Sequence, residues 1–252
     1  MRNVLKFVFV VFLGISLSGC SKQIYTADID TSYYRINKKR TSDAELDQYI
    51  EPYRVQLEAK MNEVLAYNKE EMVKALPSST LGNWFADVLL TEAQNISGQE
   101  VDIAFQNYGG IRVPFLKQGD VTVGNIYELM PFDNMLVLLT VDGKLLKRLL
   151  DRISERGGWP VSNTLSFSIK DSKAQDVLIK GEALDLSKTY TIALADYIAN
   201  GGDNCFFLEE AERKDFDLMI RDILIDHLRN LPSDQKEIQA DASSRITTLD
   251  NN

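Results

Sequence analysis

The segment Asn107–Asn134, NYGGIRVPFLKQGDVTVGNIYELMPFDN, constrains the fold more than any other part of the chain. Gly109-Gly110 predicts a bend tight enough to disfavour other residues, and Arg112 follows it at once. Phe132 comes after a proline and two residues before the amide of Asn134. A second glycine bend, Tyr197-Ile198-Ala199-Asn200-Gly201-Gly202-Asp203, lies much further along. Between the two runs MLVLLTV, Met135 to Val141, an unbroken apolar stretch of strand length. Such a run predicts a strand buried on both faces.

The first residues carry a different signal. Arg2 and Lys6 flank an apolar run from Val4 to Leu17. That run is shorter than the ~20 residues a spanning helix needs, and it reads as an export leader. It closes in Leu17-Ser18-Gly19-Cys20, which looks like a bacterial lipobox, with Cys20 as the lipidated first residue of the mature chain. The expected organisation is a leader over 1–19, a polar tether over 20–42 and one domain over 43–252. The expected address is the bacterial cell envelope, on its periplasmic or outer-membrane side, with lipid tethering a soluble body. With Cys20 lipidated only Cys205 remains, so no intrachain disulfide is expected. The formal charge is −9; losing Arg2 and Lys6 with the leader leaves 26 basic against 37 acidic residues, −11. No basic stripe is present, which argues against nucleic acid as a partner. An anionic small ligand would need a local arginine to offset the overall field.

Along the chain, a short strand is expected near Tyr33. Ser42, before Asp43 and Glu45, predicts a helix start. Leu46, Ile50, Tyr53, Leu57 and Met61 follow at helical spacing, with Pro52 as a kink or the first turn of a shorter helix. Residues 62–74 are ambiguous and fit two short strands. Pro77-Ser78-Ser79 opens a helix with Leu81, Trp84, Phe85, Val88, Leu89 and Ala93 on its apolar face, ended by Gly98. Residues 101–105 alternate as a strand. Gly119-Asp120 reads as a turn, with a short helix within 121–129. Asp142-Gly143 is a second turn, before a helix on Leu145, Leu146, Leu149, Leu150 and Ile153 that stops at Gly157-Gly158. Strands are expected at about 164–170, 175–180 and 189–195, an amphipathic helix from Phe216 to Leu231, and a last extended segment at Arg245–Leu249. This mixture predicts an α+β fold, mixed sheets packed with helices, rather than a regular βαβ array.

The two bends carry the side chains that recognition of a nucleoside phosphate needs. Base–aromatic stacking contributes about 1–3 kcal/mol per base, and Phe132 and Tyr197 can supply the faces. Asp203, Asn107 and Asn134 can meet sugar and base edges. Arg112 suits a phosphate, whose oxygens match the guanidinium fork. Gly109 and Gly110 let backbone approach a ligand closely.

Several further pieces make a set with these: Leu81-Gly82-Asn83 with Ala86-Asp87, Asn107-Tyr108-Gly109-Gly110-Ile111-Arg112, Gly119-Asp120-Val121-Thr122, Pro131-Phe132-Asp133-Asn134, Lys180-Gly181-Glu182 before Lys188-Thr189-Tyr190, Gly201-Gly202-Asp203 and Arg245-Ile246. In order and spacing the set resembles the C-terminal domain of the 5'-nucleotidase family, which also includes UDP-sugar hydrolases and cyclic phosphodiesterases, over about residues 43–249. The resemblance implies that Phe132 and Tyr197 sandwich the base, with tyrosine where phenylalanine is usual, and that Asp203 binds ribose. It places the arginine of the glycine turn on Arg112, its opening amide on Asn107 and a base-edge amide on Asn134. Members often carry arginines before the Leu-Gly-Asn piece; here Lys74 is the basic residue, which implies weaker phosphate binding.

Full-length members carry a metallophosphatase domain with two metal ions held by Asp, His and Asn, the ligands that activate water and clamp a phosphate. This sequence has one histidine, His227, within IRDILIDHLRN, expected to be structural. Neither a P-loop nor a dinucleotide fingerprint occurs, and Cys205 beside Phe206 reads as a small buried hydrophobe. No catalytic or metal-binding residue and no cofactor is therefore expected in this chain, the divalent metals belonging to a separate metallophosphatase partner. The alternative is a nucleoside- or nucleotide-binding lipoprotein without hydrolysis. A fold that has lost its ligand, and turnover by this chain alone, also stay open.

Overall fold

The computed structural model describes residues 31–33, 43–239 and 241–249. The leader, Cys20 and most of the tether lie outside them. The chain divides into residues 1–47 and 48–252. In the first unit, residues 31–33 form no strand where one was expected near Tyr33. Helix α1, Ala44–Met61, starts there, and the Asp43 carboxylate accepts the N–H groups of Glu45 and Leu46 at 3.0 and 3.3 Å. The helical spacing of Leu46, Ile50, Tyr53 and Leu57 is thus realised, with Pro52 inside the helix, yet no residue of α1 is buried.

Around the apolar run, four strands form a sheet in the order β11-β6-β10-β3: β3 is Ile103–Ala104, β6 Met135–Asp142, β10 Thr189–Ala195 and β11 Glu212–Met219. The strand period of two sorts β6 between two cores. Leu136 and Leu138 enter one core, and Val137, Leu139 and Val141 the other. Strand β10 divides likewise, Ala193 and Ala195 against Ile192 and Leu194. Helices cover both faces, which is why the run shows no polar alternation.

On the first face lie α2, Thr80–Ser97, α3, Val123–Leu129, and α6, Ile220–Arg229. The Ser79 hydroxyl caps α2 by accepting from Gly82 N–H, and Gly98 ends it in a left-handed conformation. A cap of this kind contributes about 1 kcal/mol. On the second face lie α4, Gly143–Glu155, and a smaller sheet of β7, Leu165–Lys170, β8, Lys173–Ile179, β9, Glu182–Ala183, and β13, Ile246–Thr248. Asp142 does not turn the chain into a loop; it ends β6 and caps α4 by accepting from Leu145 N–H at 2.7 Å.

Short pieces complete the body. Strand β1, Val64–Asn68, lies between β5, Gly119–Thr122, and β12, Glu237–Ile238, while β2, Met72–Val73, pairs with β4, Phe115–Leu116. Gly119-Asp120 is therefore strand, hydrogen-bonded to β1, and not a turn. The larger departure is the helix expected over 216–231. Residues 212–219 pair antiparallel with β6, and the helix starts only at Ile220. The register slips between Asp215 and Met219, where Asp217 takes a positive φ of 51°. That slip removes the alternation by which an edge strand is recognised.

Candidate functional site

Topology brings the two glycine bends together. Strand β10 runs parallel to β3 and antiparallel to β6, with Ile192 opposite Ile103 and Ala195 opposite Leu136. The chain leaving β3, the chain entering β6 and the chain leaving β10 thus meet at one edge of the sheet. The first supplies Asn107, Gly109, Gly110 and Arg112, the second Phe132 and Asn134, and the third Tyr197, on the short helix α5, Asp196–Ala199, and then Asp203. All eight line one cavity of about 320 Å³.

The bends are joined by direct bonds. The Asn107 amide donates to Asp203 Oδ2 at 2.8 Å, and Asp203 N–H donates to the Tyr197 hydroxyl oxygen at 3.4 Å. The Arg112 guanidinium stands 5.6 Å from the centre of the Phe132 ring, within cation–π range. Asp203 sits at a φ of 51°, a region costly for most residues and more tolerable for Asp and Asn. The glycines divide. A Cβ on Gly110 would fall 1.7 Å from Gln106 Nε2 and 2.7 Å from Asn107 Oδ1, so the need there is space. On Gly109 it would meet only Asn107 Nδ2, at an ordinary 3.7 Å.

Three supporting residues went unnoticed in the sequence. Asp196 Oδ1 accepts from Met135 N–H at 3.0 Å and from Tyr197 N–H at 2.8 Å, tying the Phe132 loop to the Tyr197 bend. Its place beside Tyr197 was the only available signal. Arg221 donates to the Phe132 carbonyl at 3.1 Å and the Asp133 carboxylate at 2.9 Å, with its guanidinium over the Tyr127 ring. Arg152 Nε donates to the Asp203 carbonyl at 2.9 Å. Neither arginine had a signal, because each reaches the site from a distant element.

Lys74 does come to this region. Its ammonium donates to the Ile111 carbonyl at 2.6 Å and lies 3.8 Å from the centre of the Tyr108 ring. Burial first, and the charge of Arg112 second, pull its pKa below the usual lysine value. An anion bound near the two cations would relieve that repulsion.

Other singled-out residues lie elsewhere. His227 Nδ1 is 2.6 Å from Glu92 Oε1, a structural pairing. Cys205 is buried, and burial pushes its thiol up to about 11, so it is a poor nucleophile at neutral pH. Asn83, Asp87 and Arg245, from the same motif set as the cavity residues, form a separate clasp. Arg245 donates to both Asp87 carboxylate oxygens at 2.8 and 2.5 Å, to the Val161 carbonyl at 2.7 Å and to Asp241 at 2.8 Å. The Asn83 amide donates to the carbonyls of Asp241 and Ser243.

The class so defined is a mixed α+β domain whose cavity is assembled at one sheet edge from two glycine bends. The chain belongs to the 5'-nucleotidase C-terminal domain family, whose sequence model matches residues 61–210. It is 27% identical over 230 residues to the trifunctional nucleotide phosphoesterase protein YfkN of Bacillus subtilis, across 82% of this chain and 16% of that protein. It is 35% identical over 106 residues to protein UshA of Escherichia coli, across 40% of this chain and 19% of that one. The crystal structure of a 5'-nucleotidase precursor from Thermus thermophilus superposes with a TM-score of 0.70 at 30% identity, covering 82% of this chain and 43% of that one. The chain thus spans less than half the length of these relatives.

Proposed function

We propose that the cavity binds a nucleoside or nucleotide, and that the chain acts as the substrate-binding half of a nucleotide-hydrolysing system. One observation carries the reading: three of the polar groups on the cavity wall are left free by the fold. Among the described residues, Asp203 Oδ1, the Arg112 guanidinium and the Asn134 amide have no hydrogen-bond partner, while two aromatic side chains line the same space. A carboxylate oxygen suits ribose hydroxyls, a guanidinium suits phosphate, and the rings suit a base. The volume is at the lower end of the range for small-ligand sites, about 300–1,000 Å³.

Two-metal ester hydrolysis needs a cluster of ligands around the ions. Among the described residues no group of three or more His, Cys, Asp and Glu is placed to hold a metal, and His227 is engaged by Glu92. These residues do not fit such a centre, and no bond-breaking step is assigned to them. In this proposal the ester is cleaved by a metallophosphatase on a separate chain, which brings the divalent metals. The chain is exported and held at the bacterial envelope by lipid on Cys20. No helix among the described residues is long and apolar enough to cross a membrane.

Calorimetry with AMP, adenosine and a UDP-sugar tests the binding reading, which predicts heat with at least one of them; silence with all three would reject it. Mixing the chain with a metallophosphatase catalytic domain tests the partnership, and turnover should rise with added chain. No gain at any ratio would end the partnership reading and leave binding to be judged by the calorimetry. Labelled fatty acid should enter the wild-type chain and not Cys20→Ser; equal labelling would dismiss the anchor.

A further inference from the structure

A second cavity, of about 470 Å³, opens on the outer face of α4. Asp203 and Asn204 are consecutive, yet Asp203 lines the cavity at the sheet edge and Asn204 lines this one. The wall carries Lys144, Lys147, Arg148 and Arg152 from α4 and Lys173 from β8. Two carboxylates, Asp151 and Glu155, oppose these five cations, an excess of three positive charges on a chain whose net charge is −9.

The cations are not equally satisfied. Lys147 pairs with Asp151 at 2.6 Å, Arg152 with Glu155 at 2.9 Å, and Lys173 approaches Glu155 at 3.5 Å. Lys144 and Arg148 have no acidic partner among the described residues. They lie four apart on one helix face, where like charges repel. The Arg148 guanidinium is held over the Phe207 ring, 4.3 Å from its centre. That contact orients its plane, and among the described residues its N–H donors have no acceptor. A preset guanidinium beside a free ammonium, in a recess large enough for a small molecule, matches the oxygens of a multiply charged phosphate.

We propose that this cleft is an anion site for a di- or polyphosphate group, held by Arg148 and Lys144 and independent of the cavity at the sheet edge. The group can come from a soluble phosphate compound or from a phosphorylated lipid headgroup. Its chemistry is the same in both cases: compact, at least doubly charged and rich in acceptor oxygens.

The test uses the full chain at about 150 mM salt, where contributions from distant charges are screened. Pyrophosphate is titrated by calorimetry, with sulfate as the control anion, into wild type, Lys144→Glu/Arg148→Glu and Arg112→Ala. The proposal predicts binding that the double substitution weakens at least tenfold and Arg112→Ala leaves within twofold. Equal affinity for sulfate, or binding lost in Arg112→Ala and kept in the double variant, would overturn it. A second arm sediments the chain with phosphatidylcholine vesicles that contain a polyprenyl diphosphate or with vesicles of phosphatidylcholine alone. Cosedimentation with the former alone, abolished by the double substitution, assigns the lipid source; pyrophosphate binding without cosedimentation assigns the soluble one. Binding in neither arm refutes the site. Should the double variant fail to fold, Arg148→Gln reads the same interaction with an expected three- to tenfold weakening, and an unchanged affinity there counts against the proposal.

Discussion

Two regions of this molecule are built from the same residue types and use them in opposite ways. In the clasp, the two terminal nitrogens of Arg245 meet five acceptor atoms, on Asn83, Asp87, Val161 and Asp241, and both oxygens of Asp87 are occupied, Oδ1 also accepting from Asn163 N–H at 2.8 Å. In the cavity, Arg112 has no acceptor among the described residues and Asp203 keeps one oxygen free. The side chain of Arg245 is 3% exposed, whereas Arg112 is exposed to solvent. Residues of one family motif set thus divide by whether the fold has already used their hydrogen-bonding capacity. A buried guanidinium bonded through both terminal nitrogens fixes structure, although Arg245 Nε itself has no partner, and an unbonded polar group at a cavity wall is available to a ligand.

Substitutions can break that comparison. The largest effect belongs to the clasp: Arg245→Met strands the Asp87 carboxylate, and losing one partner of a buried pair costs about 3–5 kcal/mol. Urea unfolding should show that loss. Next comes Asp203→Asn, which keeps a residue tolerant of the left-handed backbone. It removes a charged acceptor worth about 1.5–3 kcal/mol, or about 10–100-fold in nucleotide affinity, with a stability change below about 1 kcal/mol. A large drop in stability with unaltered affinity would reverse the two roles.

Finer effects sharpen the same contrast. Gly110→Ala must displace buried Gln106 and the Asn107 amide that reaches Asp203, at about 1–3 kcal/mol, and nucleotide binding should weaken with it. Gly109→Ala has room and should change stability by less than about 0.5 kcal/mol. Thermal melts of the two variants separate a requirement for space from a general requirement for glycine.

The smallest effect concerns acid. Hydrogen bonds from Arg245 and then Ser243 hold the Asp241 carboxyl down to about 2, below its ordinary 3.8. Because the folded value is depressed, the stabilisation is fully present above about pH 4 and is lost as pH falls toward 2. Acid unfolding should therefore be less steep in Asp241→Asn over that interval. An identical profile would remove Asp241 from the clasp.

How far the sequence reveals this depends on whether a signal is local. Strand β6 was legible because both its faces are apolar, α2 because Ser79 and Gly98 act on its own ends, and α4 from the spacing of Leu145, Leu146, Leu149, Leu150 and Ile153, although its cap Asp142 reads as a turn. Strand β11 was hidden: it is a charged edge strand with a register slip, and Phe216 and Leu218 merge into the helical spacing of α6. In α1 the period was legible but its burial was not, since spacing gives a face and not what covers it. The eight cavity residues could be named from two short segments; that they share one wall depends on the parallel pairing of β10 with β3, a long-range fact. Asp196, Arg152 and Arg221 act across chain separations that no motif spans. The separation of Asn83, Asp87 and Arg245 from the site became visible only when their bonding partners were known.

The most direct test is a crystal structure of the chain soaked with AMP. The account predicts the base between Phe132 and Tyr197, a ribose hydroxyl on the free oxygen of Asp203, and an unchanged clasp at Arg245. Nucleotide bound away from these rings, or with no contact to the Asp203 carboxylate, would contradict it.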